Sequence, residues 1–213
     1  MYESYESTRF TYDHRRAAVW REIVGWLEAR FGVPESLLEL GAGYCDASNA
    51  SRAPVRLAVD IRAEFVRHAA PGVQTHVGPC TDLQGVEPAS VGQVLASNLF
   101  EHLTRAELTQ TIAAIRRSLV PEGLLVVIQP NFALVPRSYF DDHTHLAEGI
   151  FTDMSMSDFL SSQGMTIIHR QARFLPFTLR QRMPAHPWLV HAYLRSPWKP
   201  LAGQMLVVAR RDS

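Results

Sequence analysis

The fold of this chain is decided by LLELGAGYCDASNA, residues 37–50, and by VRLAVD, residues 55–60. Each segment contains a short apolar run that is typical of a buried strand. Gly41 and Gly43 follow the first run, and because glycine has no Cβ the backbone there can turn sharply and approach a ligand closely. Asp60 ends the second run about 20 residues after Gly41, where an acid can accept hydrogen bonds from both hydroxyls of a ribose. Together the two segments predict a nucleoside-binding edge of an α/β sheet.

The rest of the chain alternates between apolar runs and amphipathic segments. The apolar runs predict strands at 36–40, 55–59, 73–77, 91–97 and 124–128, a strand that begins at 166, and a last strand at 205–209. The helical periodicity predicts helices at 11–31, 46–52, 62–69, from the Thr104 capping box to Pro121, and at 155–163. Continuous apolar strands that alternate with helices indicate a mostly parallel sheet covered on both faces. We therefore predict a Rossmann-like, doubly wound α/β fold with a mostly parallel seven-stranded sheet, helices on both faces and a small cap insert.

The 213 residues predict a single domain, 1–213, that begins with the helix at 11–31. Two segments interrupt the alternation and are predicted to be cap-like inserts, at about 131–150 and 175–200. The second insert holds five of the 13 prolines, a density that forbids one long helix, and we predict a hairpin that forms a cap or an interface. Its tryptophans and arginines suit a sugar, a membrane surface or a partner subunit, although the segment also fits a cap that only covers the sheet.

Composition narrows the class of protein. Lys plus Arg and Asp plus Glu are 21 each, so the formal net charge is zero and no nucleic-acid partner is expected. The apolar runs are far shorter than the ~18 residues of a membrane span, so no span is expected, although peripheral membrane contact stays open. The polar start is unlike a secretory signal and the two cysteines form no disulfide framework, so a cytoplasmic location is the simplest expectation. These patterns do not fix the oligomeric state.

With the strand and turn at 36–43, the sequence resembles the class I S-adenosylmethionine-dependent methyltransferases, and the likeness continues to about residue 128. ELGAG is similar to the family's first motif, acid-x-Gly-x-Gly. The resemblance implies S-adenosylmethionine as the cofactor, with Glu39, Gly41, Ala42 and Gly43 around its methionine part. It also implies that Asp60 binds the ribose.

The resemblance extends to the adenine of the cofactor. GPCTDL, residues 78–83, looks like the family's adenine segment, which implies that Asp82 binds the adenine amino group. Ile61, Leu83 and Asn98 are the other residues that the resemblance puts on the cofactor side.

Two departures from the family's pattern bear on the cofactor: Pro79 stands where many members carry an acid, and Cys45 where a third glycine is common. The rival cofactor is a dinucleotide, whose Gly-x-Gly-x-x-Gly fingerprint binds pyrophosphate at a helix start. Asp46 stands at the third position of that fingerprint, and its charge would repel phosphate, which S-adenosylmethionine does not contain. A tight turn without a ligand is a further alternative, but it does not explain Asp60.

Polar side chains after the fourth and fifth strands predict the acceptor side. In the family, the segment SNLFEHL at 97–103 runs beside the cofactor, so Glu101 and His102 are expected to face the acceptor. Methyl transfer from a sulfonium requires an acceptor held in line, and for a hydroxyl acceptor a histidine can remove the proton. The candidate bases are His102 and His143. The candidate catalytic residues as a set are His102, Asp142, His143 and His145, although a histidine at a helix start can also simply cap it.

A metal site is the alternative use of the same residues. Asn98-x-x-Glu101-His102 with a later histidine resembles the Glu-x-x-Glu-His pattern with which some O-methyltransferases bind a divalent ion. Because Asn98 lacks the first carboxylate, a divalent metal is possible but not expected.

The arrangement of the inserts is similar to that of small bacterial methyltransferases from polysaccharide gene clusters. It implies O-methylation of a sugar or glycan precursor. Two alternatives stay open: an O-methyltransferase of a phenolic or lipid-like small molecule, and a cofactor-binding subunit that scaffolds a partner without catalysis.

Overall fold

A computed structural model of the protein describes residues 15–176 and 186–212. Seven strands form one sheet: β1 (Ser36–Leu40), β2 (Val55–Asp60), β3 (Val73–Val77), β4 (Val91–Ser97), β5 (Leu119–Pro130), β6 (Met165–Pro176) and β7 (Ala202–Arg211). Their spatial order is β3-β2-β1-β4-β5-β7-β6. β1 to β5 are parallel, whereas β7 runs antiparallel to both of its neighbours. The predicted Rossmann-like, mostly parallel seven-stranded sheet is confirmed.

The helices cover both faces of the sheet. They are α1 (Arg15–Phe31), α2 (Asp46–Ala50), α3 (Arg105–Ser118), α4 (Asp153–Ser162) and α5 (Pro187–Arg195). α1 and α5 pack on one face and α3 and α4 on the other. Short 3₁₀ turns lie at Ala63–His68, Phe100–His102, Tyr139–Asp141 and Ala147–Gly149. No helix in the described ranges has the length and apolarity that crossing a membrane requires.

Successive side chains of the central strands point to opposite faces of the sheet, and both faces are covered by helices. For this reason the sequences of these strands are continuous apolar runs. In β1, Leu38 packs with Ile112 of α3, and Leu37 packs with Ile23 of α1 on the other face. The predicted capping box at the start of α3 is present, since Thr104 and Glu107 exchange side-chain to backbone hydrogen bonds.

Two local predictions differ from the structure. The segment predicted as a helix at 62–69 is a 3₁₀ helix. α3 ends at Ser118, before Pro121 and Gly123, and both of these residues belong to the long strand β5. The strand tolerates them because its pairing with β4 is irregular there, and Glu122 has a φ of 65°.

The two predicted inserts take different forms. The described part of the predicted insert at 175–200 contains the helix α5, and Pro187 lies in its first turn, where a proline removes no helical hydrogen bond. Val190 and Leu194 of α5 pack into the α1 core, while Trp188 and Trp198 are exposed. Arg180 and Arg182 lie outside the described residues. Residues 131–150 carry two 3₁₀ turns and fold back on the carboxyl edge of the sheet.

Candidate active site

The carboxyl ends of β2, β1 and β4 lie side by side in the sheet. β1 is the point where the strand order reverses, because β2 follows on one side and β4 on the other. In open α/β sheets ligands bind at this point. The loops that begin at Gly41, Ile61 and Asn98 therefore share one edge.

The turn after β1 requires its glycines. Gly41 and Gly43 have φ values of 63° and 55°, a left-handed conformation that costs glycine little. A Cβ on Gly41 would also lie 3.0 Å from Cδ1 of Leu99. The turn is tied to β2 by the Ala42 N–H, which donates to the Val59 carbonyl at 3.1 Å.

Asp60 is buried and fixes the same turn. Its Oδ2 accepts from the Gly43 N–H at 2.9 Å, and its Oδ1 accepts from the backbone N–H of Arg62 at 2.9 Å and from Nε of Arg62 at 3.2 Å. A carboxylate has about four acceptor positions, so a ribose bound here would share Asp60 with Arg62 or displace the guanidinium. Ile61, beside it, is 59% exposed and offers an apolar surface at the edge.

Glu39 has a different set of contacts from those that the family resemblance implies. Its carboxylate accepts from the Ala47 N–H at 3.3 Å, the Ser48 N–H at 2.7 Å and the Ser48 hydroxyl at 2.5 Å. Burial raises the pKa of Glu39 to about 7. The residue therefore anchors α2 behind the glycine turn, and its two oxygens are already used within the protein.

Asp82 and Leu83 are not brought to this edge. Asp82 accepts from the backbone and side-chain N–H groups of Gln84, both at 2.9 Å, and Arg117 donates to the Asp82 carbonyl. Arg117 lies in the last turn of α3, which begins at the carboxyl edge and ends at the opposite edge, beside the start of β5. Leu83 is fully buried in the α3 core. The residues that directly follow β3 are Gly78 to Cys80, and these lie nearer to Asp60, whose carbonyl accepts from the Gly78 N–H at 3.0 Å.

The edge suits a cofactor without phosphate. Asp46, at the start of α2, is buried and forms an ion pair with Arg16 at 2.8 Å. A buried acid at this point disfavours pyrophosphate, whereas the carboxylate of Asp60 suits hydroxyl donors.

The loop after β4 joins this edge to a second group of polar residues. Asn98 has a φ of 49°, and its side-chain oxygen accepts from the Gln204 amide at 2.8 Å. Leu99 packs on Gly41, and the 3₁₀ turn that follows carries Glu101 and His102. Glu101, the first residue of this second group of polar residues, therefore lies two residues after Leu99, which contacts the glycine turn.

The insert at 131–150 folds onto this 3₁₀ turn. The Leu146 N–H donates to the Glu101 carbonyl at 2.8 Å, and the Tyr139 hydroxyl donates to the Gly149 carbonyl at 3.0 Å. These contacts place the ring of His145 5.1 Å from that of His102. The structure thereby brings together Glu101, His102 and His145, which we call the EHH cluster; one possible ligand atom from each lies within 4.8 Å of the others.

Burial controls the charges of the EHH cluster. Glu101 is 1% exposed, and neither of its carboxylate oxygens has a hydrogen-bond partner in another described residue. Burial raises the pKa of Glu101 to about 8. Burial, with the neighbouring His145, lowers the pKa of His102. His102 is therefore neutral near pH 7.

Thr144 connects the EHH cluster to Asp142. The Thr144 hydroxyl donates to Asp142 at 2.6 Å and lies 3.0 Å from Nδ1 of His102. Burial raises the pKa of Asp142, but the hydrogen bonds from Thr144 outweigh it and the net shift is downward. His143 is exposed and does not belong to the cluster.

Sequence reasoning missed several residues that build this group. Tyr139, Thr144 and Gly149 position the histidines, and no motif marks them in the sequence. Gln129, at the carboxyl end of β5, is 1% exposed and its amide has no hydrogen-bond partner within the described residues. For Gln129 the sequence did offer one signal, since it is a polar residue at the end of an apolar run that predicts a buried strand.

Comparison with known proteins agrees with the geometry. Residues 38–127 match the family model of the methyltransferase domain. No protein of curated function matches the sequence.

Solved structures share the fold over almost the whole chain. A methyltransferase from Haloferax volcanii, in complex with a methyltransferase activator, is 17% identical with a TM-score of 0.68, over 92% of this chain and 90% of that one. A SAM-dependent methyltransferase from Archaeoglobus fulgidus is 13% identical with a TM-score of 0.66, over 99% of both chains. The 1,6-didemethyltoxoflavin-N1-methyltransferase of Burkholderia thailandensis, solved with S-adenosylhomocysteine, is 19% identical with a TM-score of 0.66, over 100% of this chain and 85% of that one.

At these identities the structural likeness shows the fold, and the family match covers the segment from β1 into β5 that forms the glycine turn, Asp60 and the loop after β4. Residues 38–127 of the chain are thus similar to the methyltransferase domain, and the whole chain has the fold of the solved S-adenosylmethionine-dependent methyltransferases.

Proposed function

We propose that this protein is an S-adenosylmethionine-dependent methyltransferase that O-methylates a sugar or a glycan precursor. The observation that carries the proposal is the EHH cluster, which begins two residues after the contact between Leu99 and the Gly41 turn. S-adenosylmethionine supplies a methyl group on a positively charged sulfur. A hydroxyl must lose its proton to become a good nucleophile, whereas a neutral amine already presents a lone pair. A buried histidine beside the cofactor edge therefore suits a hydroxyl acceptor.

On the cofactor side, we assign the turn Gly41–Ala42–Gly43 to the methionine part and Asp60 to the ribose. Ile61 is assigned to the adenine face and Asn98 to the region of the methyl group. Gly78 to Cys80 replace Asp82 and Leu83 as the segment beside the adenine, because they follow β3 at the same edge.

On the acceptor side, we assign His102 to the reacting hydroxyl, with Asp142 acting through Thr144 to orient the ring. The insert at 131–150 serves as the acceptor-facing cap. Asp141 and His143 of this insert are exposed and offer hydrogen bonds to an acceptor with several hydroxyls. The amide of Gln129 in β5, which has no partner among the described residues, offers another. This polarity favours a sugar.

A phenolic or lipid-like acceptor is the second candidate, and Phe140 favours it. Phe140 lies in the same insert and its side chain is 52% exposed, so it offers an aromatic surface near the EHH cluster. A protein partner is a further possibility for this chain, since the Haloferax volcanii relative was solved with an activator.

Methyl transfer from radiolabelled S-adenosylmethionine to three acceptor panels tests the proposal: nucleotide sugars and oligosaccharides, phenols, and amines. We expect label in the first panel, with a mass increase of one methyl group. Asp60→Ala serves as the control that removes cofactor binding. Label only in phenols would select the second candidate, label only in amines would contradict O-methylation, and a chain that binds S-adenosylhomocysteine but labels none of the panels would favour the scaffold alternative.

A further inference from the structure

We propose that Glu101, His102 and His145 form a binding site for a first-row divalent transition-metal ion, which holds the acceptor oxygen. The role of the ion in catalysis rests on the proposed O-methylation, but its binding does not. From the sequence a metal was not expected, because Asn98 lacks a carboxylate. The structure adds three observations, each of which concerns the side chains of the EHH cluster.

The first observation is the distance between the ligand atoms. One ligand atom from each of the three side chains lies within 4.8 Å of the other two. An ion about 2.1 Å from each ligand requires those atoms to be about 3 to 4 Å apart. The cluster therefore needs to contract by roughly one ångström on binding, which small side-chain rotations supply.

The second observation is the tautomer of both histidines. Nδ1 of His145 lies 2.6 Å from the Tyr139 carbonyl, and a carbonyl only accepts, so Nδ1 carries the hydrogen. Nδ1 of His102 lies 3.2 Å from the Thr144 carbonyl and 3.0 Å from the Thr144 hydroxyl, whose own hydrogen goes to Asp142. In each neutral ring the lone pair is consequently on Nε2. Histidines that bind metals typically donate the other N–H to a carbonyl or carboxylate in this way.

The third observation is Glu101 itself. Its side chain is 1% exposed, and both carboxylate oxygens are buried without a hydrogen bond to any other residue that the structure describes. A buried carboxylate without a partner is costly, and a cation between it and two neutral imidazoles removes that cost. Two histidines and one carboxylate with open positions suit ions such as Mn²⁺, Fe²⁺ and Co²⁺.

Three protein ligands leave positions for the acceptor. Asn98 is not needed as a ligand, because its side-chain oxygen accepts from Gln204. An acceptor hydroxyl bound to the ion becomes more acidic and loses its proton to water. The oxygen lone pair then attacks the methyl carbon as the carbon–sulfur bond breaks, and the electron pair of that bond stays on sulfur. In this arrangement His102 is a ligand and orients the acceptor instead of taking its proton.

The test is direct metal binding by the full, tag-free chain after dialysis against EDTA. Titration with Co²⁺, followed by visible absorption and by calorimetry, should show one ion per chain. Glu101→Gln and His145→Ala should each weaken Co²⁺ binding at least about 10-fold. His186→Ala is the matched control, because it removes an exposed imidazole at the start of α5, and it should bind Co²⁺ as the wild type does.

Two further measurements keep the result interpretable. S-adenosylhomocysteine affinity reports whether each variant is folded. In the wild type, Mn²⁺ should broaden the NMR ring signals of His102 and His145 and leave His186 sharp. The inference is overturned if folded wild type binds neither ion, or if both cluster variants bind Co²⁺ like His186→Ala. Methyl transfer to a hydroxyl without metal binding would overturn the metal site and leave the proposed O-methylation standing. Metal binding without a methylated hydroxyl would support the metal site and contradict the proposed O-methylation.

Discussion

Gly149 packs so tightly against Glu101 that a Cβ on Gly149 would lie 2.7 Å from the Cα of Glu101 and 2.8 Å from its carbonyl oxygen. Both atoms belong to the backbone, so they cannot move aside as a flexible side chain would. Through this contact the insert at 131–150 closes over the 3₁₀ turn that follows β4. The position of His145 relative to Glu101 therefore depends on a residue without a side chain.

Replacement of Gly149 by alanine tests that dependence. The added methyl group must push the insert away from Glu101, at a cost of about 1–3 kcal/mol in unfolding free energy. We expect methyl transfer to fall at least about 10-fold, because a small displacement of positioned groups is enough for such a loss. S-adenosylhomocysteine affinity should stay close to that of the wild type.

Gly25→Ala is the matched control for the Gly149 experiment. Gly25 lies inside α1, and apart from the backbone of its own helix no described atom lies within 4 Å of a Cβ built there. Alanine at a helix interior position is better than glycine by up to about 1 kcal/mol, so this variant should be more stable and fully active. Equal activity of the two variants would show that the close contact at Gly149 does not position the cluster.

A comparison of Asp60→Ala with Asp82→Ala distinguishes two predictions about the cofactor site. The structure predicts that only Asp60 binds the cofactor, whereas the family resemblance implies that Asp82 does so as well. Asp60 lies at the glycine turn, and the loss of two charged hydrogen bonds to a ribose costs about 2–4 kcal/mol, or about 30- to 1,000-fold in affinity. Asp82 lies away from that edge and accepts hydrogen bonds from Gln84, so its loss should leave the affinity for S-adenosylhomocysteine unchanged. Calorimetry with S-adenosylhomocysteine measures both, and weakened binding by Asp82→Ala would restore the role that the resemblance gave it.

Asp60 and Asp82 also illustrate what the sequence reveals about this fold. Asp60 ends a strand that is visible as an apolar run, and the parallel sheet carries its side chain to the same edge as the turn after Gly41. Asp82 comes five residues after the run at 73–77, and its position depends on the path of the loop between β3 and β4, where Arg117 of α3 donates to its carbonyl. The strands β1 to β4 and the capping box at Thr104 were predictable, because they rest on local patterns. The loop between β3 and β4 was not.

The acceptor side was predictable in part for the same reason. His102 follows β4 and was expected at the edge. The pairing of His102 with His145 rather than with His143 depends on how the Tyr139 ring and Gly149 pack the insert, which is a contact between distant segments that no periodicity encodes. Glu39 stands where the acid-x-Gly-x-Gly motif has its acid. Its carboxylate accepts a hydrogen bond from Ser48, because the tight turn into α2 brings Ser48 back beside it.

Glu39 should make stability depend on pH. Burial raises its pKa from 4.5 to about 7, so between these values the unfolded chain loses the proton while the folded chain keeps it. The contribution is fully present below pH 4.5 and is lost as the pH rises towards 7. Glu39→Gln cannot lose a proton, so relative to the wild type it should gain up to about 3 kcal/mol in unfolding free energy across this range.

Urea unfolding at several pH values, followed by circular dichroism, measures the effect of Glu39→Gln. Only the change with pH matters, since the amide also loses a hydrogen bond at every pH. Glu35→Gln controls for the loss of a carboxyl group, because Glu35 is exposed just before β1. A difference between Glu39→Gln and the wild type that does not change with pH would mean that the Glu39 carboxylate is charged in the folded protein.

Single replacements of the three histidines distinguish the residues that touch the acceptor. His102→Ala and His145→Ala each remove a side chain of the EHH cluster, and the maximal rate should fall by about 10²–10⁴-fold, as expected for a group that acts on the acceptor proton or holds its oxygen. His143→Ala removes an exposed ring from the same insert, so its rate should change by a small factor at most. All three histidines lie outside the Gly41 turn and the Asp60 segment, so the affinity for S-adenosylhomocysteine should be retained in all three variants. The loss of rate would then be specific to the acceptor step. A loss at His143 as large as that at His102 would show that the insert closes differently around the acceptor and that His143, the second base expected from the sequence, belongs to the reaction.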